Sequence, residues 1–413
     1  MLQMNSVDRK QTDSALSFMF PVTSGIMGGV QSLIINLISY LSKGDSHCRV
    51  RLYDYSFGLI KGKLDSMNID NFEFIPLDNS RWVIPNKGDE IFVLTNGVWL
   101  SYPFFLGNAN NVRVMLWDVY YPYWKRIGQY KSLSIPVLRK YIIQLLCRNN
   151  GVIFTEKKGL ELFTENGCLL SSNRIVPIPI NCSENLFFKN YTGRNNVLRI
   201  GYIGRAEKWK IMPLKKLVED LARIGANADI YIYTENKNRF MQYLPILPNI
   251  NYTFISGLYG VQLEQSIMCN KIDMGYSMGT SALEFGRIGV PTILADFSSK
   301  EFPNNYQYRL LHFSSIGDLG MDVDDIGDGD NNRMSLENII SKVDILDWSA
   351  RTFEHVRAYH SIENVTQKLL AASRDDNVLV KDINLLLATV SRLSYGYKRL
   401  SNKKHGFFGW GIK

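Results

Sequence analysis

Two places in this 413-residue chain combine residue types that can hold a phosphate. One is Met278-Gly-Thr-Ser-Ala-Leu-Glu-Phe-Gly-Arg-Ile-Gly-Val-Pro-Thr-Ile-Leu-Ala-Asp296, which reads as a loop, a short helix, a tight Gly-Val-Pro turn and a buried strand. Gly279, Thr280 and Ser281 stand where the helix begins. Thr280 or Ser281 can cap it, and the free N–H groups of its first turn, with the helix dipole, suit a phosphate. Glu284 is expected in the first turn, where a carboxylate can accept from the hydroxyls of a phosphate-linked ribose or sugar. Together these features suggest a sugar nucleotide; an ordinary strand–helix–strand unit is the plainer alternative. The other place is Gly204–Lys210, where Arg205 and Lys210 stand five residues apart after an apolar run. Arginine offers phosphate a bidentate fork and lysine a point charge. Fixed cations of this kind stabilise a departing diphosphate, although a loop pair can equally be only solvated.

Weaker signals lie elsewhere. Gly25, Gly28 and Gly29 form a glycine loop that matches neither a Walker A loop nor Gly-x-Gly-x-x-Gly. It can face a ligand or simply let a helix pack on its strand. Asp118 is the only acid between Arg113 and Arg148. It can act as a general base or hold an acceptor hydroxyl, or it can cap a strand end. The five histidines (His47, His312, His355, His360, His405) show no metal-ligand spacing. Asp322-Val-Asp324 sits in a polar stretch and reads as a solvated turn. No metal and no cofactor is expected.

The elements that must position these residues follow from periodicity. Residues 17–22, 50–54, 90–94, 113–117 and 151–155 read as buried strands, and residues 30–41 and 138–147 have helical spacing. After the extended Arg174-Ile-Val-Pro-Ile-Pro-Ile180 and a polar stretch, the alternation restarts. Strands are predicted at 198–203, 228–233, 251–255 and 271–275, helices at 214–224 and 261–268, and a polar loop at 204–210. This alternation predicts an α/β chain of two doubly wound, Rossmann-like domains. The expected divisions are 1–180, 181–347 and 348–413, the last read as helices and a basic aromatic tail.

The segment around Glu284, with Arg205 and Lys210 about 75 residues before it, resembles the retaining "glycosyltransferases group 1" type of GT-B-fold, nucleotide-sugar glycosyltransferase. The resemblance implies a cleft between two domains. It implies that Arg205, Lys210 and the Gly279, Thr280 and Ser281 loop hold the donor diphosphate, and that Glu284 grips the ribose. The Gly25, Gly28 and Gly29 loop would face the cleft, and the final helices would cross back to the N-terminal domain. It also implies retention of configuration. Two features depart from the family. Its upstream glutamate, eight residues before the second, is here Tyr276, and its cleft histidine has no counterpart in Trp117-Asp-Val-Tyr-Tyr-Pro122. Those departures put the donor sugar and part of the catalytic assignment in doubt; the catalytic candidates are Glu284 and Asp118. The departures also support a non-catalytic nucleotide-sugar-binding or scaffold protein of this fold; a sugar-nucleotide epimerase is the other alternative, but the carboxylate and histidine set it relies on is not found in the sequence.

Composition narrows the setting. Hydrophobic content of 46% marks a globular chain long enough for two cores. Five scattered cysteines without a Cys-x-x-Cys suggest reduced thiols. No signal peptide is read, and no apolar run approaches the ~20 residues of a membrane span. The net charge of +8 gathers between Arg113 and Arg148 and after Asp382, both rich in aromatics. That pairing suits an anionic membrane surface better than nucleic acid, for which no recognition motif is present; a solvated basic face is the alternative. The expected partners are thus a nucleotide-sugar donor, a saccharide or lipid-linked saccharide acceptor and the cytoplasmic face of the cell membrane, in surface polysaccharide (O-antigen or capsule) biosynthesis.

Overall fold

The computed structural model describes residues 15–20, 28–43, 48–77, 90–95, 112–119, 143–165, 167–170, 172–182, 184–191, 193, 196–327, 332–341, 344–379 and 381–382. The chain divides into two compact units, Met1–Arg174 with Leu369–Lys413, and Ile175–Lys368.

The first unit carries β1 (Ala15–Met19), β2 (Val50–Asp54), β3 (Glu73–Pro76), β4 (Glu90–Thr95), β5 (Arg113–Asp118) and β6 (Val152–Phe154), with helices α1 (Gly29–Lys43), α2 (Leu59–Ser66) and α3 (Lys157–Glu165). Its strands run in the order β3-β2-β1-β4-β5-β6 and pair in parallel throughout. Strands of this kind are buried on both faces, and β1, β2 and β6 are buried along their whole length. Near the end of the chain, Val378 O accepts from Val114 N at 2.9 Å and its side chain fills the space beside Gly151. Cys147 and Cys168 are joined by a disulfide with Cα atoms 5.9 Å apart. This corrects the expectation of five scattered thiols. The pair is 21 residues apart in sequence and meets only through the fold.

The second unit holds α4 (Leu186–Asn190), β7 (Leu198–Ile203), α5 (Lys208–Arg223), β8 (Ala228–Tyr233), α6 (Lys237–Met241), β9 (Ile250–Ile255), α7 (Val261–Cys269), β10 (Met274–Ser277), α8 (Thr280–Gly286), β11 (Thr292–Leu294), β12 (Tyr308–Leu310) and β13 (Arg333–Met334). Helices α9 (Leu336–Ser341) and α10 (Ile345–His360) follow, and α11 (Ile362–Arg374) has residues 362–368 in this unit and 369–374 in the first. The strand order is β13-β12-β11-β10-β7-β8-β9, parallel from β11 to β9 with β12 and β13 antiparallel at one edge. Leu214, Leu217, Val218 and Leu221 of α5 are fully buried on the β7 and β8 face. That i, i+3, i+4, i+7 stripe is why the segment is a helix, and truncating one such leucine to alanine costs about 2–5 kcal/mol.

The two sheets establish an α/β, doubly wound fold. β7 and β8 have the bounds read from sequence, whereas α5 starts at Lys208 instead of 214. Pro213 lies inside that helix. Its ring removes one backbone hydrogen bond of the second turn and crowds the carbonyl four residues back, a cost that the buried leucine stripe of the helix offsets. The strand expected at 271–275 is displaced to Met274–Ser277, because Lys271 takes φ 51° and closes the end of α7. Among the described residues no helix is long and apolar enough to cross a membrane.

Candidate functional site

The second sheet changes direction between β7 and β10. From β7 the chain winds outward to β8 and β9, then returns to the other side of β7 as β10. In open α/β sheets ligands bind outside the carboxyl ends of strands at such a reversal. Here the two ends are tied together: Ser277 Oγ accepts from Ile203 N at 3.0 Å and donates to Ile203 O at 3.3 Å. The loops that leave side by side carry the residues singled out by sequence, Gly204–Glu207 after β7 and Met278–Gly279 after β10.

The β7 side presents side chains. Arg205 is 52% exposed and lies 3.6 Å from Glu207, the N-cap of α5. Lys210 belongs to the first helical turn rather than to the expected loop. Its ammonium stacks over Trp209 at 4.9 Å, and Tyr202 Oη donates to its carbonyl at 2.6 Å. Burial, reinforced by the Arg205 charge, pulls the Lys210 ammonium down to about 8. Two cations at the positive end of a helix repel each other and gain from an anion between them.

The β10 side presents backbone. Gly279, not Thr280 or Ser281, is the N-cap of α8, with φ 60° and ψ −142° and no side-chain cap. This corrects the expected hydroxyl cap: the chain turns through a left-handed conformation open to glycine, so Thr280 and Ser281 become the first two helical residues. Their amides stand outside the helix's own ladder. Gly279 N donates to Leu319 O at 2.7 Å, so the loop at 318–321 backs the turn. That loop is itself anchored by charge. Asp296, fully buried, accepts from Met321 N at 3.0 Å, from Arg333 at 2.6 Å and from Tyr306 Oη at 2.8 Å. Asp318 pairs with Arg309. Gly320 has φ 115°, and a Cβ there would stand 2.5 Å from Ala295 O.

Starting the helix at Thr280 moves Glu284 into the second turn, correcting its expected first-turn place. Residues three and four apart share a helix face, which puts Glu284 on the face of Thr280 and Ser281. Glu284 Oε2 accepts from Arg287 Nε at 2.7 Å, and the same guanidinium donates through Nη1 to Glu264 Oε2 on α7 at 2.8 Å. Sequence inspection missed both partners. The Glu284/Arg287 spacing of three was the available signal; Glu264 is 23 residues away and gave none. Tyr276, where the resembled family carries a glutamate, is fully buried. It donates to Pro213 O at 3.2 Å and packs against Tyr202 and Tyr308. It belongs to the core beneath α5, and burial raises its phenol well above the usual range.

In the first unit, Gly25 lies outside the described residues. Gly28 N donates to Gln31 Oε1 at 3.1 Å and Gly29 opens α1. Asp118 ends β5, and its carbonyl accepts from Thr155 N at 3.0 Å. The residue is 1% exposed, and its carboxylate occupies the space left by Gly159 of α3. The remaining polar motifs serve packing or the surface. Burial holds the His312, His355 and His360 imidazoles down at about 4, so they are neutral. His360 Nδ1 lies 2.8 Å from the Ile178 carbonyl. Asp322 caps a short helical turn and Asp324 pairs with Lys300 at 2.9 Å.

No protein-family model matches the chain, and no curated protein matches it in sequence. Solved structures do match it in fold. A glycosyltransferase from Rickettsia africae ESF-5 is 15% identical with a TM-score of 0.56, over 88% of this chain and 98% of that one. An S. aureus TarM mutant in complex with fondaparinux, alpha-GlcNAc-glycerol and UDP is 11% identical with a TM-score of 0.55, over 87% and 99%. Anabaena HepE in complex with UDP is 12% identical with a TM-score of 0.52, over 87% and 98%. The chain therefore has the GT-B fold of these proteins.

Proposed function

We propose that the protein is a glycosyltransferase that binds a nucleoside-diphosphate sugar at the β7/β10 reversal and passes the sugar to a saccharide acceptor. One observation carries this reading: the Ser277–Ile203 bonds bring two helix starts together, one bearing Arg205 and Lys210, the other bearing the glycine-capped amides of Gly279, Thr280 and Ser281. Arg205, Lys210 and those amides would hold the diphosphate, and Glu284 would take the ribose hydroxyls. As the glycosidic bond to the leaving phosphate breaks, negative charge grows on that phosphate. Cations and amides already in place stabilise it without reorganisation. This chemistry needs no metal from the chain. TarM and HepE, alike in fold, bind UDP in their crystals.

The finer parts are also proposals. Retention of configuration rests on the family resemblance. A lipid-linked acceptor, an anionic membrane surface at the cytoplasmic face and a role in surface polysaccharide assembly rest on the basic aromatic segments. These lie largely outside the described residues, as does the tail after Asp382. For Asp118, burial beneath α3 favours the strand-end role over a general base.

A second reading is favoured by Tyr276, which packs in the core where the resembled enzymes have a carboxylate. On that reading the chain binds a nucleotide sugar without transferring it. The deciding assay supplies radiolabelled UDP-, GDP-, CDP- and dTDP-sugars with a bacterial lipid-linked saccharide extract. Label transfer with matching nucleoside-diphosphate release supports the enzyme. Binding of a nucleotide sugar with neither transfer nor release supports the binder.

A further inference from the structure

Arg287 is the one guanidinium in the described structure that grips Glu284. It donates from Nε to Glu284 Oε2 at 2.7 Å and from a terminal nitrogen to Glu264 Oε2 at 2.8 Å. The side chain is 11% exposed, against 30% for Glu284 and 18% for Glu264. One positive charge thus sits between two negative ones, on the inner side, while the carboxylate proposed to meet the ligand stays the most open of the three. Glu264 lies in the first turn of α7, so the clamp ties α8 to the neighbouring helix. An unrestrained glutamate samples several rotamers, and ordering it on binding costs affinity. A two-point planar fork removes that freedom in a way a point charge cannot.

We infer that Arg287 is a positioning residue for nucleotide recognition: it fixes Glu284 through Oε2, leaving Oε1 to accept from the ribose hydroxyls, with Glu264 as the anchor of the fork. This rests on the donor-site proposal above. It makes ribose recognition, and not diphosphate affinity, the property that depends on Arg287.

The test is calorimetric binding of UDP and GDP beside their 2′,3′-dideoxy counterparts. Wild type is expected to prefer the ribonucleotide by about 10- to 100-fold, as a hydrogen bond to a charged group gives. Arg287→Met should bring that ratio to within about threefold of one while the dideoxy affinity stays as in wild type, and Arg287→Lys should fall between. The Arg287→Met/Glu264→Gln double variant removes the guanidinium together with the charge facing it. It provides the same readout if the single variant does not fold. A variant that keeps the wild-type ratio, or that weakens both ligands alike, overturns the positioning role and leaves the donor site standing. A wild type that binds the dideoxy and ribose forms equally overturns the role of Glu284 and with it that of Arg287. A wild type that binds none of the four removes the donor-site proposal itself, and the inference falls with it.

Discussion

Two helices begin at the same strand reversal and meet the proposed ligand in opposite ways. Helix α5 arrives with charge on side chains, Arg205 and Lys210. Helix α8 arrives with none in its first turn and offers backbone amides behind a glycine cap. The first strategy is cheap to hold in place, since Arg205 leans only on Glu207 and Lys210 on Trp209. The second demands a rigid support, and Asp296, Asp318, Arg309 and Arg333 supply it as a buried ionic frame. The support of the α8 start therefore lies in the core, whereas on the α5 side Arg205 is exposed and Lys210 is half-buried.

The contrast can be broken most severely at the frame. Asp296→Ala would remove the buried carboxylate that pairs with Arg333 and accepts from the Met321 amide. It is expected to cost about 3–5 kcal/mol in urea unfolding, whereas Glu207→Ala, beside exposed Arg205, should stay within about 1 kcal/mol. Equal losses would show that the two helix starts are supported alike. Next in size, Arg205→Ala should weaken nucleoside-diphosphate binding by about 10- to 100-fold with little change in Tm. An unchanged Kd would remove the side-chain half of the site. Gly279→Ala forces a Cβ into a left-handed cap and should cost about 1–2 kcal/mol of stability, and it should also lower nucleotide affinity. Stability at the wild-type level would mean that the cap can rebuild without glycine.

Proton linkage separates the two sides further. The Lys210 pKa is lowered to about 8, from 10.5, by burial and the Arg205 charge. Between these values the unfolded chain binds the extra proton, so this group makes stability rise with pH there. Binding runs the other way. A diphosphate favours charged Lys210, so affinity should fall by up to about tenfold per pH unit above 8. Lys210→Arg should flatten that slope, and a wild-type Kd that does not change between pH 7 and pH 9.5 would exclude Lys210 from the contact. The smallest effect belongs to α8. Neither hydroxyl caps the helix, so Thr280→Ala should change stability and Kd by about 0.5 kcal/mol or less. A loss of tenfold or more would assign the contact to the hydroxyl instead of the amide.

The same contrast explains what could be read from the chain beforehand. Strands β7 and β8 were legible because apolar residues bounded by polar loops leave little choice of register. Arg205 and Lys210 were legible as charge following a strand. The α8 start was legible only as a composition, Gly-Thr-Ser, which fits a hydroxyl cap as well as a glycine cap. The choice between them is made by the loop at 318–321, some 40 residues away. Asp296 and Arg333, 37 residues apart, and the Glu264 anchor were hidden for the same reason. Tyr276 in place of a glutamate was visible, but its bond to the Pro213 carbonyl was not, because the periodicity starts the helix at 214, whereas Pro213 lies inside it.

The central claim, a nucleoside-diphosphate site where α5 and α8 begin, is tested most directly by isothermal titration of folded protein with UDP, GDP, CDP and dTDP, repeated on Arg205→Ala and Lys210→Ala. The account predicts that at least one nucleotide binds wild type and that each substitution weakens it by about 10- to 100-fold. Binding of none of the four, or wild-type affinity in both variants, would contradict it.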